Sequence, residues 1–186
     1  MDKIEVKKCK RCYEVKGLSE FYDKSRSQCV PCERESARKR MKRYNSTFRG
    51  KASRALQDSR STVKKLRRQG VDITDDLTLH DVLFTFAIAD GRCQYCGEYH
   101  ADRLQLEHIV PLSSGGANSF HNVTAVCGSC NRSKNNTPLI KWHESPTNRR
   151  SVNEGILSTI DSMALRRGVA HGLIIDELQG GGGERR

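Results

Sequence analysis

The eight cysteines constrain this chain most, because all of them fall into four pairs of one spacing: Cys9/Cys12, Cys29/Cys32, Cys93/Cys96 and Cys127/Cys130. A C-x2-C turn sets two sulfurs on one side of a tight loop, and two such turns complete a tetrahedral four-thiolate site for Zn2+. The opening MDKIEVKKCK has no apolar stretch of the kind an export signal needs. A reducing compartment is therefore expected, with metal thiolates in place of four disulfides. The first set, Cys9-x2-Cys12-x16-Cys29-x2-Cys32, is compact, whereas the second, Cys93-x2-Cys96-x30-Cys127-x2-Cys130, must carry a folded insert between its knuckles. Two structural zinc ions are predicted.

Charge is the next constraint. The 186 residues carry 33 Lys and Arg against 22 Asp and Glu, and the excess is uneven: residues 1–70 hold 22 basic and 8 acidic side chains. A net +14 there against −3 in the remainder is what a polyanion-binding arm joined to a differently employed domain shows, since each neutralised phosphate adds affinity by releasing a counterion. The bland alternative is a solvated basic face. No apolar run approaches the length of a membrane helix, so a soluble protein without a membrane partner is expected. Hydrophobic residues make up 35% of the chain, which implies a modest and divided core.

The elements follow from periodicity and punctuation. Residues 7–32 read as a metal-dependent module with Phe21 and Tyr22 as a miniature core. Glu33 to Arg43 is dense in Arg and Lys, and Ala37, Met41, Tyr44 and Phe48 recur at helical spacing. A second helix, capped at Ser46 or Thr47, runs to Arg68 with Leu56, Val63 and Leu66 on its apolar stripe and Gly70 as its stop. The stripes are expected to be packing faces of a charged connector. Asp75 to Thr78 cap a buried helix ending at Gly91, Leu104 to Ile109 and Val123 to Val126 read as strands, and Ser113-Ser114-Gly115-Gly116 as a mobile loop. A helix from about Ser129 and another over Val152 to Arg167, closed by Gly168, complete the pattern.

Zinc alone does not explain the insert. Glu107-His108-Ile109-Val110-Pro111, Gly115-Gly116, His121-Asn122 and Cys130-Asn131-Arg132-Ser133-Lys134 bring together a carboxylate, amide oxygens, an imidazole and basic side chains. Hard oxygens suit Mg2+, a neutral imidazole suits proton abstraction, and a helix N-terminus with nearby Arg or Lys attracts phosphate. That is equipment for phosphodiester hydrolysis, although for each residue alone a capping or strand-end role is the simpler reading.

These motifs, CQYC, EHIVP, SGG, HN and CGSCNRSK over residues 93–134, resemble the zinc-bound HNH endonuclease family. The resemblance implies an α+β fold with a small ββα-metal finger over a four-cysteine zinc site, preceded by a zinc ribbon and basic helices and followed by a C-terminal helix. Residues 7–43 are similar to the zinc-ribbon leader of some phage HNH proteins. The expected division is a ribbon at 1–32, a basic helical DNA-binding connector at 33–70, the nuclease domain at 71–145, a helical extension at 146–179 and a flexible tail at 180–186.

The resemblance also implies roles. His108 stands where the general base activates water, Glu107 and Asn131 where one catalytic Mg2+ or Mn2+ is held, and Asn122 where an Asn steadies the histidine loop. The products would be a 5′-phosphate and a 3′-hydroxyl of double-stranded DNA. Arg132 and Lys134 are candidate phosphate clamps, and Arg38, Arg40, Lys42, Arg43, Lys64 and Arg67 candidate backbone contacts. Glu107 departs from the commoner Asp. Neighbours on an ideal strand also point to opposite faces, so Glu107 and His108 can share a site only if the strand ends or bends there. A nuclease subunit in a phage DNA-packaging machine, partnered by a terminase, and a non-catalytic zinc DNA-binding protein are the alternative readings. The expected location is the cytoplasm of a bacterial host.

Overall fold

The computed structural model describes residues 5–145 and 153–179; the expected tail at 180–186, with residues 1–4 and 146–152, lies outside the described residues. The chain divides into two compact units, one up to Thr47 and one from Phe48 onward.

In the first unit β1 (Val6–Lys8) and β2 (Val15–Gly17) pair antiparallel, Val6 opposite Gly17, and the turn joining them is the Cys9–Cys12 knuckle. Cys29 caps α1 (Val30–Asn45), with Pro31 in the first turn, where its missing N–H costs nothing. Cys9, Cys29 and Phe21 are buried together. Tyr22, expected beside Phe21, is 56% exposed, because Phe21 is extended and successive side chains of extended chain face opposite ways. α1 buries no residue at all, and Met41 and Tyr44 stand in solvent. The packing face expected there does not form, since the Arg and Lys between its apolar residues leave too little apolar area to bury.

The second unit starts with α2 (Phe48–Arg68), whose Ala52, Leu56, Ser59 and Val63 recur every three or four residues and face inward. Gly70, at φ +86°, turns the chain after it. Ala52 and Leu56 share a core with Leu77, Val82 and Val123. The connector expected over 33–70 is therefore split: α2 belongs to the second unit. The basic excess is split with it, residues 1–47 carrying a net +7 and 48–186 a net +4.

Thr78 caps α3 (Leu79–Ala89) in a reciprocal capping box, its hydroxyl accepting from the Asp81 amide while the Asp81 carboxylate accepts from the Thr78 N–H at 2.9 Å. Expected to be wholly buried, α3 hides Val82, Thr85 and Ala89 and leaves Phe84 and Ile88 about half exposed, because it has neighbours on one side only. β3 (Gln105–His108) is shorter than the expected strand and pairs antiparallel with β4 (Val123–Val126), Gln105 opposite Val126 and His108 opposite Val123. α4 (Gly128–Lys134) follows directly, giving strand, strand, helix.

α5 (Leu139–His143) starts behind Pro138. The extension holds two helices, α6 (Asn153–Arg167) and α7 (His171–Leu178), with Gly168 at φ +63° between them. Their apolar faces join Tyr95 and Trp142 in the largest core, Ile156, Ile160 and Met163 among them. α6 comes so close to the Cys93–Cys96 knuckle that a Cβ on Gly155 would stand 2.4 Å from the Gln94 carbonyl oxygen and 2.6 Å from that of Tyr95. Only glycine permits that approach. Among the described residues no helix is long and apolar enough to cross a membrane.

Candidate active site

Each unit of the chain holds one four-cysteine cluster, and the two pairs of the second lie at either end of the segment that carries Glu107 and His108. The sulfurs of Cys93, Cys96, Cys127 and Cys130 lie within 4.8 Å of one another, as do those of Cys9, Cys12, Cys29 and Cys32. The bond from Cys130 and the surrounding backbone amides pull the Cys93 thiol down to about 4. Four converging sulfurs, one already favoured as thiolate, fit a structural Zn2+ at this site, and the matching cluster fits a second. Cys127 caps α4, and the Gln94 amide donates to the Ala125 carbonyl at 2.9 Å, so the paired knuckles hold the end of β4 and the start of α4.

The strand alternation of β3 sorts its side chains. Gln105 and Glu107 face α4, where the Gln105 Oε1 accepts from the Asn131 amide at 2.9 Å and the Glu107 Oε1 accepts from the Lys134 ammonium at 2.7 Å. Asn131 and Lys134, three apart, share the helix face turned to the strand. Lys134 is fully buried and also donates to the His108 carbonyl at 3.2 Å. This corrects its expected role as a phosphate clamp: a cation with no solvent exposure, paired to a buried carboxylate, is part of the packing. Burial pushes the Glu107 carboxyl above its ordinary range while Lys134 pulls it down. Asn131 donates with Nδ2 to Gln105, two residues before Glu107 on the same strand face, which leaves its Oδ1 as a hard donor. An amide oxygen and a carboxylate are donors of the kind a divalent cation takes, although Asn131 itself is not among the residues that line the cleft into which Glu107 opens.

His108 points the other way, to α2 and the loop before β4. Its Nε2 lies 2.8 Å from the Asn118 Oδ1, and burial holds the imidazole below its usual range, against the upward pull of that bond. Because β3 ends at His108, the two faces meet round the strand end. Glu107 and His108 open into one cleft of about 280 Å³, which Thr62, Lys65 and Gln69 of α2 also line.

Asn122 is buried and ties the histidine loop at both ends, its Oδ1 accepting from the Val110 amide at 2.8 Å and its Nδ2 donating to the carbonyls of Val110 and Ala117. Expected to be mobile, the Ser113–Gly116 segment is a tight turn (Leu112–Ser114) closed by Gly115 at φ +84°. A Cβ on Gly116 would stand 2.1 Å from the Val110 carbonyl oxygen.

Residues 93–137 match the family model described as HNH endonuclease. The chain carries an HNH domain. It is 34% identical over 137 residues to the CRISPR-associated endonuclease Cas9 of Actinomyces naeslundii, covering 69% of this chain and 11% of that protein. It is 35% identical over 94 residues to the type IV methyl-directed restriction enzyme EcoKMcrA of Escherichia coli, covering 45% of this chain and 33% of that one. The crystal structure of the type II-C Cas9 from A. naeslundii aligns at 30% identity with a TM-score of 0.37, over 71% of this chain and 14% of that one. The chain thus spans about a tenth of the Cas9 relative.

The basic candidates differ in exposure. Arg38, Arg40, Lys42 and Arg43 are exposed on α1, Lys64 on α2 and Arg132 on α4. Arg67 is exposed yet donates to the Ile73 carbonyl at 2.7 Å, tying down the turn after α2. Residues that the sequence reading missed are Asn118, against His108, and the α2 side of the cleft. Nothing in their spacing marks them. Lys134 could have been placed, since any helix face that presents Asn131 to β3 presents the residue three further on as well.

Proposed function

We propose that the HNH domain is a DNA endonuclease that hydrolyses phosphodiester bonds of double-stranded DNA, with His108 as general base, leaving a 5′-phosphate and a 3′-hydroxyl. The observation that carries this reading is the strand end of β3, where a neutral-leaning imidazole and a buried carboxylate open into one cleft. A relative named as an endonuclease and another named as a restriction enzyme support it. His108 takes a proton from water as the water oxygen bonds to phosphorus, and the bond from phosphorus to the 3′ oxygen breaks. Glu107 and the Asn131 Oδ1 would hold a divalent cation, Mg2+ or Mn2+. When bound, that cation supplies positive charge to the phosphate and the departing oxygen. Asn122 keeps the histidine loop closed, and exposed Arg38, Arg40, Lys42, Arg43, Lys64 and Arg132 add sequence-independent attraction to the backbone.

The test is a gel. Zinc-loaded protein incubated with supercoiled plasmid and Mg2+ should convert it to nicked or linear forms, and His108→Ala should lose that conversion while keeping its zinc and its DNA affinity, since a base acts on the transition state. A His108→Ala protein that cuts at the wild-type rate refutes the assignment.

A further inference from the structure

The His108 side chain ends in a chain of hydrogen bonds whose directions are fixed by chemistry. Asn118 is wholly buried, and its backbone is clamped, the amide donating to the Thr74 carbonyl at 2.8 Å and the carbonyl accepting from the Leu77 amide at 2.9 Å. Its side-chain Nδ2 donates to the Asp75 Oδ1 at 2.7 Å. A carboxylate only accepts, so the amide cannot be turned over: Nδ2 faces Asp75 and Oδ1 faces His108. The Ser59 hydroxyl, on the buried face of α2, donates to the same Oδ1 at 2.5 Å and stands 3.4 Å from the His108 Nε2. Both atoms that meet Nε2 are therefore acceptors, the serine having committed its proton to Asn118.

We propose that Asp75, Asn118 and Ser59 are positioning residues that hold the proton of neutral His108 on Nε2 and so make Nδ1 the atom that accepts a proton from water. The inference rests on the reading of His108 as general base. Nδ1 carries no hydrogen bond among the described residues. An imidazole with its proton on the wrong nitrogen has no lone pair where the water is, so its occupancy of the competent form is set by these partners. Two of the three, Ser59 and Asp75, lie outside the family-matched segment, which makes α2 and the turn before α3 part of the working site. The relay contributes no group to the reacting atoms.

The experiment reads the tautomer directly. Full-length zinc-loaded protein is labelled with 15N-histidine, and long-range 15N–1H correlation at mildly alkaline pH reports which nitrogen of each neutral ring bears hydrogen. The His108 signals are those lost in His108→Gln. Wild type should show Nε2–H alone. Asn118→Leu should turn His108 into a mixture or the Nδ1–H form and lower kcat by about 10- to 100-fold, part of what a positioned base contributes, with KM for plasmid unchanged. Asp75→Asn, isosteric and safe for the fold, repeats the test if Asn118→Leu does not fold. The exchange Asp75→Asn with Asn118→Asp, which keeps an acceptor toward Nε2 and a donor behind it, should restore both readouts. An Nδ1–H signature in wild type overturns the proposal, as does a kcat loss with no change of tautomer. Should His108→Ala cut normally, the base assignment fails instead, and the NMR result stands apart from it.

Discussion

Replacing Lys134 with Met tests the electrostatics of the HNH domain most sharply. The Lys134 side chain is 0% exposed, that of Glu107 is 10% exposed, and the pair is separated by 2.7 Å. At an effective dielectric of about 20 their mutual attraction is roughly 6 kcal/mol before desolvation is counted. Removing one partner of a buried pair typically costs about 3–5 kcal/mol, because the survivor stays behind as an uncompensated charge. Glu107 borders the cleft, where water can reach it, so the low end, about 3 kcal/mol, is expected. For a chain of this size that lowers Tm by roughly 6–12 °C. Scanning calorimetry on zinc-replete protein without added Mg2+ measures it. Glu107→Gln combined with Lys134→Met should be less destabilised than the sum of the singles, and added Mg2+ should recover part of the Lys134→Met loss by supplying Glu107 with another cation. A Lys134→Met protein that melts within about 1 °C of wild type refutes the reasoning, and would return Lys134 to the solvent-facing role first expected of it.

Elemental analysis should find two zinc ions per chain, and a strong chelator should unfold the module around Phe21 first, since its own apolar core is too small to hold it; a single zinc refutes the pairing of the clusters. Because His108 sits below its usual 6.5, the base stays neutral as pH falls through 6.5, so the acid limb of kcat should lie below that value, and a limb above about 7 contradicts the burial argument. Gly116→Ala should cost roughly 1–3 kcal/mol and cut kcat with zinc retained, read by calorimetry beside the plasmid assay, because its Cβ would collide with the Val110 carbonyl that Asn122 holds. Arg132→Ala should lower the log–log salt slope of DNA binding by about 0.9, whereas Lys134→Met should leave the slope alone.

Much of this was legible because it is local. Cysteine pairs one turn apart, a Thr78 cap with Asp81 three residues on and strands between glycine turns all write their geometry into short stretches of chain. The elements that follow from these signals, α3, β4 and the start of α4, sit where the residues place them. What spacing did not reveal is tertiary. α2 has the composition of a solvated charged helix, yet its Ala52, Leu56, Ser59 and Val63 pack inward; its apolar residues are gathered on one side far more strongly than those of the unpacked α1, a periodic signal that marks a packing face without saying what it packs against. Asn118 is an unremarkable loop residue until Asp75, 43 positions earlier, is folded against it. The conflict between Glu107 and His108 as strand neighbours resolves only in three dimensions, by a cleft that wraps the strand end.

The glycine contact between α6 and the Cys93 knuckle carries a consequence for how the chain is made. During synthesis Cys93 and Cys96 leave the ribosome before Cys127 and Cys130, and Gly155 follows all four, so the thiolates can close on zinc while the backbone of Gln94 and Tyr95 is still uncovered. Only when α6 arrives is that loop sealed, with Ile156 and Ile160 closing over Tyr95 and Trp142. A chain stalled or cut ahead of Gly155 would keep all four cysteines and its cleft residues, yet expose the apolar floor that α6 covers, and such a product is a substrate for proteases rather than part of the folded pool.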